Sequence, residues 1–179
     1  MRSAVIVRTS LPAGLERLRR HGVEDSADGV PAHLTLLYPF VEPESLTAET
    51  RRTLARVVRQ HAPFDYALRR MAKWPDTVYV AVDPAVPFVR LHRNLQDAFP
   101  AYPIYGRAAP FRFVPHVTVA EGPAVADPAV GGDAGWAALP RSRKATAIEV
   151  IASGADGRWR TVWRIRLGGG DEAADRIRP

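Results

Sequence analysis

The chain has 179 residues, of which 46% are hydrophobic and 25% charged, values typical of one globular domain, so extensive disorder is excluded. It contains no cysteine, which excludes disulfides, a thiolate nucleophile and cysteine-bound zinc or iron–sulfur centres. No apolar run approaches the roughly 20 residues of a membrane-spanning helix, and the N-terminal apolar stretch is too short for a secretory signal. We therefore expect a cytoplasmic monomer that does not enter a membrane.

The net charge of +6 comes almost entirely from arginine, because only two of the 25 basic residues, Lys73 and Lys144, are lysine. Guanidinium groups bind phosphate oxygens through paired N–H donors, which favours an anionic or nucleic-acid substrate. A GC-rich coding sequence produces the same bias, since it replaces lysine by arginine and enriches alanine and proline. The charge alone leaves both explanations open.

Hydrophobic periodicity predicts alternating strands and helices along the chain. The predicted strands are residues 3–8, 33–38, 64–68, 77–82, 113–120, 146–152 and 158–167, and the predicted helices are 12–20, 47–60 and 87–99. Residues 121–139 are rich in Gly, Ala and Pro and are expected to hold at most a short helix. This irregular mixture favours an α+β fold with mainly antiparallel sheet. We assign residues 1–167 to one domain and 168–179 to a flexible tail.

One tetrapeptide pattern, His–apolar–Thr–apolar, occurs twice. It is found at His33-Leu34-Thr35-Leu36 and again, 83 residues later, at His116-Val117-Thr118-Val119. Both copies fall on predicted strands, where residues i and i+2 point to the same face. Each histidine should therefore project together with its threonine, while the apolar residues pack on the buried side. With five histidines and nine threonines, two such matches arise by accident in only about 2–3% of chains.

Two histidines and two threonines in one cleft would suit a phosphate diester. One imidazole can take a proton from the attacking oxygen while the other gives a proton to the leaving oxygen. The threonine hydroxyls can donate hydrogen bonds to the non-bridging oxygens, where negative charge grows in the transition state. This hypothesis requires the two strands to come from related lobes that face each other.

The residues around these motifs also carry a family resemblance. The stretches GVPAHLTLLYPF, residues 29–40, and FVPHVTVA, residues 113–120, resemble the paired signature motifs of the 2H phosphoesterase superfamily, in particular its 2′-5′ RNA ligase-like branch. The resemblance covers residues 1 to about 167. It implies a two-lobed fold with pseudo-two-fold symmetry, mainly antiparallel sheets around a central cleft and helices outside.

The resemblance further implies metal-independent chemistry, with no cofactor, at 2′,3′-cyclic or 2′-5′ phosphodiester linkages of RNA ends or nucleotides. Carried over by position, His33 and His116 become the acid–base pair, and Thr35 and Thr118 become the groups that hold the phosphate. The Gly/Ala/Pro-rich composition of residues 121–139 departs from what the resemblance leads us to expect at the rim of the site.

Three further residues are candidates for substrate binding. Tyr38 follows the first motif and could stack on an unpaired base, although a packing role is an alternative. Arg112 has the strand parity of His116 and Thr118 but is separated from them by a proline, and Arg8 ends the first strand; either could reach a phosphate. The arginines of the last predicted strand (Arg158, Arg160, Arg164 and Arg166) either line an RNA track or form a solvated sheet face.

Other sequence motifs restrict the alternatives. The chain has no HExxH, no HxH and no P-loop, so the usual zinc-protease and ATP-driven patterns do not apply. Two other functions stay open beside a phosphodiesterase. The same cleft could hold an RNA end or a nucleotide without turnover, or the motifs could be coincidental in a protein that acts through a partner. Turnover of nucleoside 2′,3′-cyclic phosphates in EDTA distinguishes the three.

Overall fold

A computed structural model describes residues 1–107, 112–132 and 134–169 of the chain. Two four-stranded sheets form its framework, and all of their strand pairs are antiparallel. The strands are β1 Ser3–Arg8, β2 His33–Leu37, β3 Phe64–Trp74, β4 Thr77–Asp83, β5 His116–Glu121, β6 Arg141–Ala145, β7 Ala147–Ser153 and β8 Trp159–Arg166. One sheet has the order β2-β1-β7-β8 and the other β5-β4-β3-β6. The expected α+β class with antiparallel sheets is confirmed.

Short and medium-length helices connect the strands. They are α1 Ala13–Gly22, α2 Glu24–Ala27, α3 Ala48–Val58, α4 Val86–Ala98 and α5 Pro128–Gly132, with single 3₁₀ turns at Pro43–Ser45, Ile104–Gly106, Gly122–Ala126 and Ala134–Ala138. Helix α3 begins after Thr47, whose hydroxyl accepts a hydrogen bond from the Thr50 N–H. No helix in the described part of the chain is both long and apolar enough to cross a membrane.

The two motif strands, β2 and β5, are the edge strands of their respective sheets and contact each other. The helices cover them crosswise: α1, which follows β1, packs on β5, and α4, which follows β4, packs on β2. Helix α1 approaches β5 closely at Gly22, where a Cβ atom would lie 2.8 Å from the carbonyl oxygen of Val119. This crosswise packing joins the two sheets into one molecule.

The period-two pattern of both motifs separates core from cleft, as the sequence predicts. Leu34, Leu36, Val117 and Val119 are fully buried in the main apolar core. The histidine and threonine of each motif alternate with them and are only partly buried on the opposite face of the strand.

Three element boundaries differ from the sequence prediction. Strand β3 continues to Trp74 because residues 70–74 pair with β4, although their sequence is largely polar. Strand β6 was not predicted, since its sequence, RSRKA, shows no apolar alternation; it lies at a sheet edge and pairs with β3. Strand β5 begins at His116 rather than at residue 113. Of the predicted tail, residues 170–179 lie outside the described part.

Candidate active site

The two histidines are held by the same local hydrogen bond. His33 Nδ1 lies 2.8 Å from the carbonyl oxygen of Pro31, and His116 Nδ1 lies 2.8 Å from that of Val114. A carbonyl oxygen can only accept, so Nδ1 carries a hydrogen in both rings. The other nitrogen, Nε2, is therefore the atom that exchanges protons in both rings.

Thr35 lies next to the reactive nitrogen of the first histidine. Its Oγ1 is 3.1 Å from His33 Nε2, and its hydroxyl is also in hydrogen-bond contact with the phenol of Tyr105. Because β2 presents both side chains on one face, the hydroxyl and the imidazole can contact the same ligand atom group. The second threonine, Thr118, is two residues from His116 on β5 and also faces the cleft.

Two adjoining cavities make up this cleft. The smaller, about 150 Å³, is lined by His33 and Thr35, and the larger, about 510 Å³, is lined by His116. Both cavities share Tyr105, Thr118 and Glu121 as walls. The structure thus brings the two motifs together.

The electrostatic environment favours neutral imidazoles in the free cleft. The pKa of His33 is lowered from 6.5 to about 4, chiefly by burial and also by the positive charges of Arg19 and His116, while the hydrogen bond to Pro31 opposes this. Burial likewise lowers the pKa of His116, against the hydrogen bond to Val114. An anion bound in the cleft would shift both equilibria back towards the protonated form, because opposite charge stabilises imidazolium.

The three additional candidates from the sequence lie in different places. Tyr38 lines the smaller cavity, where its hydroxyl accepts a hydrogen bond of 2.8 Å from Arg2 Nη1. Arg112 is exposed and lines the larger cavity with His116, although it precedes β5 and the strand parity argument does not apply to it. Arg8 lines neither; it points into a separate basic cavity, 3.6 Å from Glu149.

Sequence reasoning missed Arg19, a cation that lines the smaller cavity. Only 2% of this residue is exposed, and its Nη1 donates to the Ser26 hydroxyl at 2.9 Å and to the Val30 carbonyl at 3.0 Å. A usable signal was present, because Arg19 continues the buried stripe of α1 between Leu15 and Gly22. An arginine on the apolar face of an amphipathic helix indicates a buried polar partner or a site.

The wall around His116 is aromatic, which the sequence did not show. The indole of Trp74 lies 4.7 Å from the His116 ring and the phenol ring of Tyr79 lies 5.2 Å from it, both centroid to centroid. The two aromatic rings are themselves 4.2 Å apart. The pairing of β3, β4 and β5 creates this cluster, since Tyr79 is the cross-strand partner of Thr118.

Two further cleft residues have unusual properties. Tyr105 has a φ of 54°, a left-handed backbone conformation that is uncommon for a non-glycine residue and recurs at functional sites. Its N–H donates to the carbonyl of Tyr38 at 2.5 Å, which ties the 3₁₀ turn to the end of β2. Glu121 lies between the cavities, and burial, with the nearby charge of Asp25, raises the pKa of its carboxyl group. Within residues 1–107, 112–132 and 134–169, no cluster of His, Cys, Asp or Glu could hold a metal ion.

Comparison with known proteins places this geometry in a family. A family model described as the 2′-5′ RNA ligase superfamily matches residues 7–154. A protein of Geobacillus kaustophilus named as a phosphoesterase is 27% identical over 93 residues, which are 50% of this chain and 51% of that protein. A phosphoesterase-named protein of Geobacillus thermodenitrificans is 26% identical over 93 residues, with the same coverage. The chain thus spans about half the length of the curated relatives it matches.

Solved structures share the fold over nearly the whole chain. The crystal structure of TT0787 from Thermus thermophilus has a TM-score of 0.64 and 20% identity, covering 96% of this chain and 100% of that one. The structure of Escherichia coli LigT complexed with 3′-AMP has a TM-score of 0.58 and 21% identity, covering 94% and 98%. Together with the family match, they confirm the resemblance seen in the two motifs: the chain belongs to the 2′-5′ RNA ligase superfamily of 2H phosphoesterases.

Proposed function

We propose that the protein is a metal-independent phosphodiesterase that opens 2′,3′-cyclic phosphates or cleaves 2′-5′ linkages at RNA ends or in nucleotides. The observation that carries this proposal is the paired arrangement of His33 and His116. Each ring donates its Nδ1–H to a backbone carbonyl two residues earlier, so that each Nε2 is available for proton transfer. Two such imidazoles and two hydroxyls supply the groups that hydrolysis of a diester needs.

In this proposal His33 is the general base. Burial and the neighbouring Arg19 disfavour its protonated form, so its Nε2 is free to accept a proton near neutral pH. Water attacks phosphorus as it passes its proton to His33 Nε2, and the bond from phosphorus to the leaving ribose oxygen breaks. His116, protonated at Nε2 when the diester anion is bound, gives that proton to the leaving oxygen. The product is a phosphomonoester, and solvent exchange restores the two histidines.

The hydroxyls of Thr35 and Thr118 would stabilise the transition state in this reaction. Each lies on the same strand face as its histidine and lines the cleft. Donation to the non-bridging oxygens is worth most where charge accumulates, in a cleft that largely excludes water. The buried guanidinium of Arg19 adds positive potential on the His33 side of the cleft, since it lines the same cavity.

The nucleoside would occupy the larger cavity, beside His116. Its volume of about 510 Å³ can hold a nucleoside, whereas the smaller cavity of about 150 Å³ cannot. Trp74 is 36% exposed there and offers a ring face for stacking, and Arg112 lies at the same wall. Nucleotide binding is supported by the fold relative LigT of Escherichia coli, whose crystal structures are complexes with 3′-AMP, ATP and NADP+.

Incubation with nucleoside 2′,3′-cyclic phosphates and with 2′-5′-linked dinucleotides, in EDTA, tests the proposal. We expect turnover at the same rate with and without EDTA, because proton transfer between imidazoles and substrate uses no metal ion. Chromatography of the products identifies the phosphomonoester as the 2′ or 3′ isomer. Saturable binding without turnover would instead support a binding module, and a rate restored only by added zinc or manganese would overturn the mechanism.

A further inference from the structure

A second cavity of about 420 Å³ lies outside the cleft, where the end of β1 meets β6, β7 and β8. Its lining is strongly basic: Arg8, Arg143, Lys144 and Arg164 contribute four positive charges against one carboxylate, that of Glu149. Hydroxyl groups of Thr9, Ser10, Tyr66 and Thr146 complete the wall. Cations and hydroxyl donors in this ratio favour an anion with several oxygen atoms.

Two of the lining residues hold the wall in place. Arg143 donates through Nε and Nη2 to the carbonyl oxygen of Ser10, at 3.0 and 2.8 Å. The Tyr66 hydroxyl donates to Thr9 Oγ1 at 2.8 Å. These bonds join the segment after β1 to the second sheet, so the cavity is a built feature of the junction between sheets.

The acidic residue does not neutralise the cavity. Glu149 is only 6% exposed, and its Oε2 accepts a hydrogen bond of 3.1 Å from Thr161 and faces Arg8 at 3.6 Å. Within the described part of the chain, neither Lys144 nor Arg164 makes a side-chain hydrogen bond or ion pair. Both are exposed at the mouth of the cavity, where a ligand can reach them.

The strand register relates this cavity to the catalytic cleft. Arg8 is the cross-strand partner of His33, and Ile6 is the partner of both Thr35 on β2 and Glu149 on β7. Arg164 in turn is the partner of Glu149 on β8. Directly paired residues share a sheet face, so the basic row lies on the face that carries His33 and Thr35. At the usual strand spacing it extends from about 5 Å to about 14 Å from β2.

We propose that this basic cavity binds a second phosphate of an oligonucleotide whose terminal linkage lies between the two histidines. The inference rests on the proposed function and narrows its substrate class to RNA ends rather than free mononucleotides. A mononucleotide has only the phosphate that reacts, so an occupant of a cavity this far along the sheet must come from further along the same strand. Arg8, Lys144 and Arg164 hold that phosphate, while Arg143 positions the wall.

A series of substrates of increasing length tests this inference. The probes are a nucleoside 2′,3′-cyclic phosphate and di-, tri- and tetranucleotides that end in the same cyclic phosphate. We expect kcat/KM to rise about 10-fold or more once the chain is long enough to reach the cavity, the usual effect of a charge-assisted hydrogen bond. Arg164→Gln combined with Lys144→Gln should remove that rise and leave the mononucleotide rate unchanged. The matched control is Arg160→Gln, on the same strand but paired with Asp156 at 2.7 Å.

Binding measured without turnover separates this inference from the proposed function. Anisotropy of a labelled, non-hydrolysable tetranucleotide should show affinity that falls with salt, with a slope smaller by about 0.7 for each lost phosphate contact in the double variant. Equal kcat/KM for all lengths, or unchanged tetranucleotide affinity in the double variant, would overturn the inference. Absence of turnover with every substrate, together with salt-sensitive binding lost in the double variant, would retain the cavity and reject the enzyme.

Discussion

The two halves of the cleft use one backbone device in two different environments. Both imidazoles donate Nδ1–H to the carbonyl two residues earlier, at 2.8 Å. Around His33 the wall is enclosed and includes the buried cation Arg19, whereas around His116 it is open and aromatic, with Trp74 and Tyr79 in ring contact. The shared device sets ring orientation, and the difference in environment can set which ring is base, which is acid and where the nucleoside lies.

Removal of either imidazole is the strongest test of this comparison. His33→Ala and His116→Ala should each lower kcat/KM by about 10² to 10⁴, the usual effect of one proton-transfer group. The double variant should be little worse than the weaker single variant, because the two groups act in one step. Steady-state kinetics on a cyclic phosphate measure this, with His21→Ala, an exposed histidine on α1, as control. Wild-type turnover by His116→Ala would reject the mechanism.

The two threonines should show a smaller and unequal effect. Thr35→Val and Thr118→Val should each lower kcat by about 10-fold to 10³-fold, through loss of one donor to the developing charge. Thr35 also lies 3.1 Å from His33 Nε2 and contacts the Tyr105 hydroxyl, so its replacement should in addition shift the pH profile. Thermal unfolding of both variants should match the wild type, since the side chains face the cleft. Identical kinetics for wild type and both variants would contradict a role in phosphate binding.

The position of the nucleoside can be tested on the aromatic wall. Trp74→Ala should raise KM for a cyclic nucleotide about 10-fold with little change in kcat, because base stacking on an aromatic ring is worth about 1–3 kcal/mol. Tyr38→Ala, in the smaller cavity, should have the lesser effect. The reverse order would place the base beside His33 and support the stacking role predicted for Tyr38 from the sequence.

The dependence of stability on pH tests the environment of His33 without any substrate. With a pKa of 6.5 when unfolded and about 4 when folded, this group binds protons more tightly in the unfolded chain. Its contribution to the free energy of unfolding is therefore unaffected above pH 6.5 and falls as pH decreases towards 4, by about 2 kcal/mol at pH 4.5. His33→Gln should lose less stability than the wild type between pH 7 and 4.5 in urea titrations. Equal losses would show that His33 is not held neutral.

Much of the site was predictable because it depends on local periodicity. The His–x–Thr spacing on a strand places both side chains on one face whatever the rest of the fold does, and the apolar residues between them require burial. Helix α4 followed in the same way from the stripe of Phe88, Leu91 and Leu95, all fully buried. Strand β6 was not predictable, because its charged sequence is stabilised by pairing with β3 rather than by an apolar face.

The sequence by itself determined the two motifs, the strands that carry them and the α+β class, since each depends on residues within a few positions of one another. Only the tertiary structure decided what surrounds each histidine. Trp74 reaches His116 through the pairing of three strands, Arg19 reaches His33 through the packing of α1, and Arg8 turns away to Glu149 on β7. These contacts join residues far apart in the chain, and their formation depends on sheet register and helix packing, which no local pattern encodes.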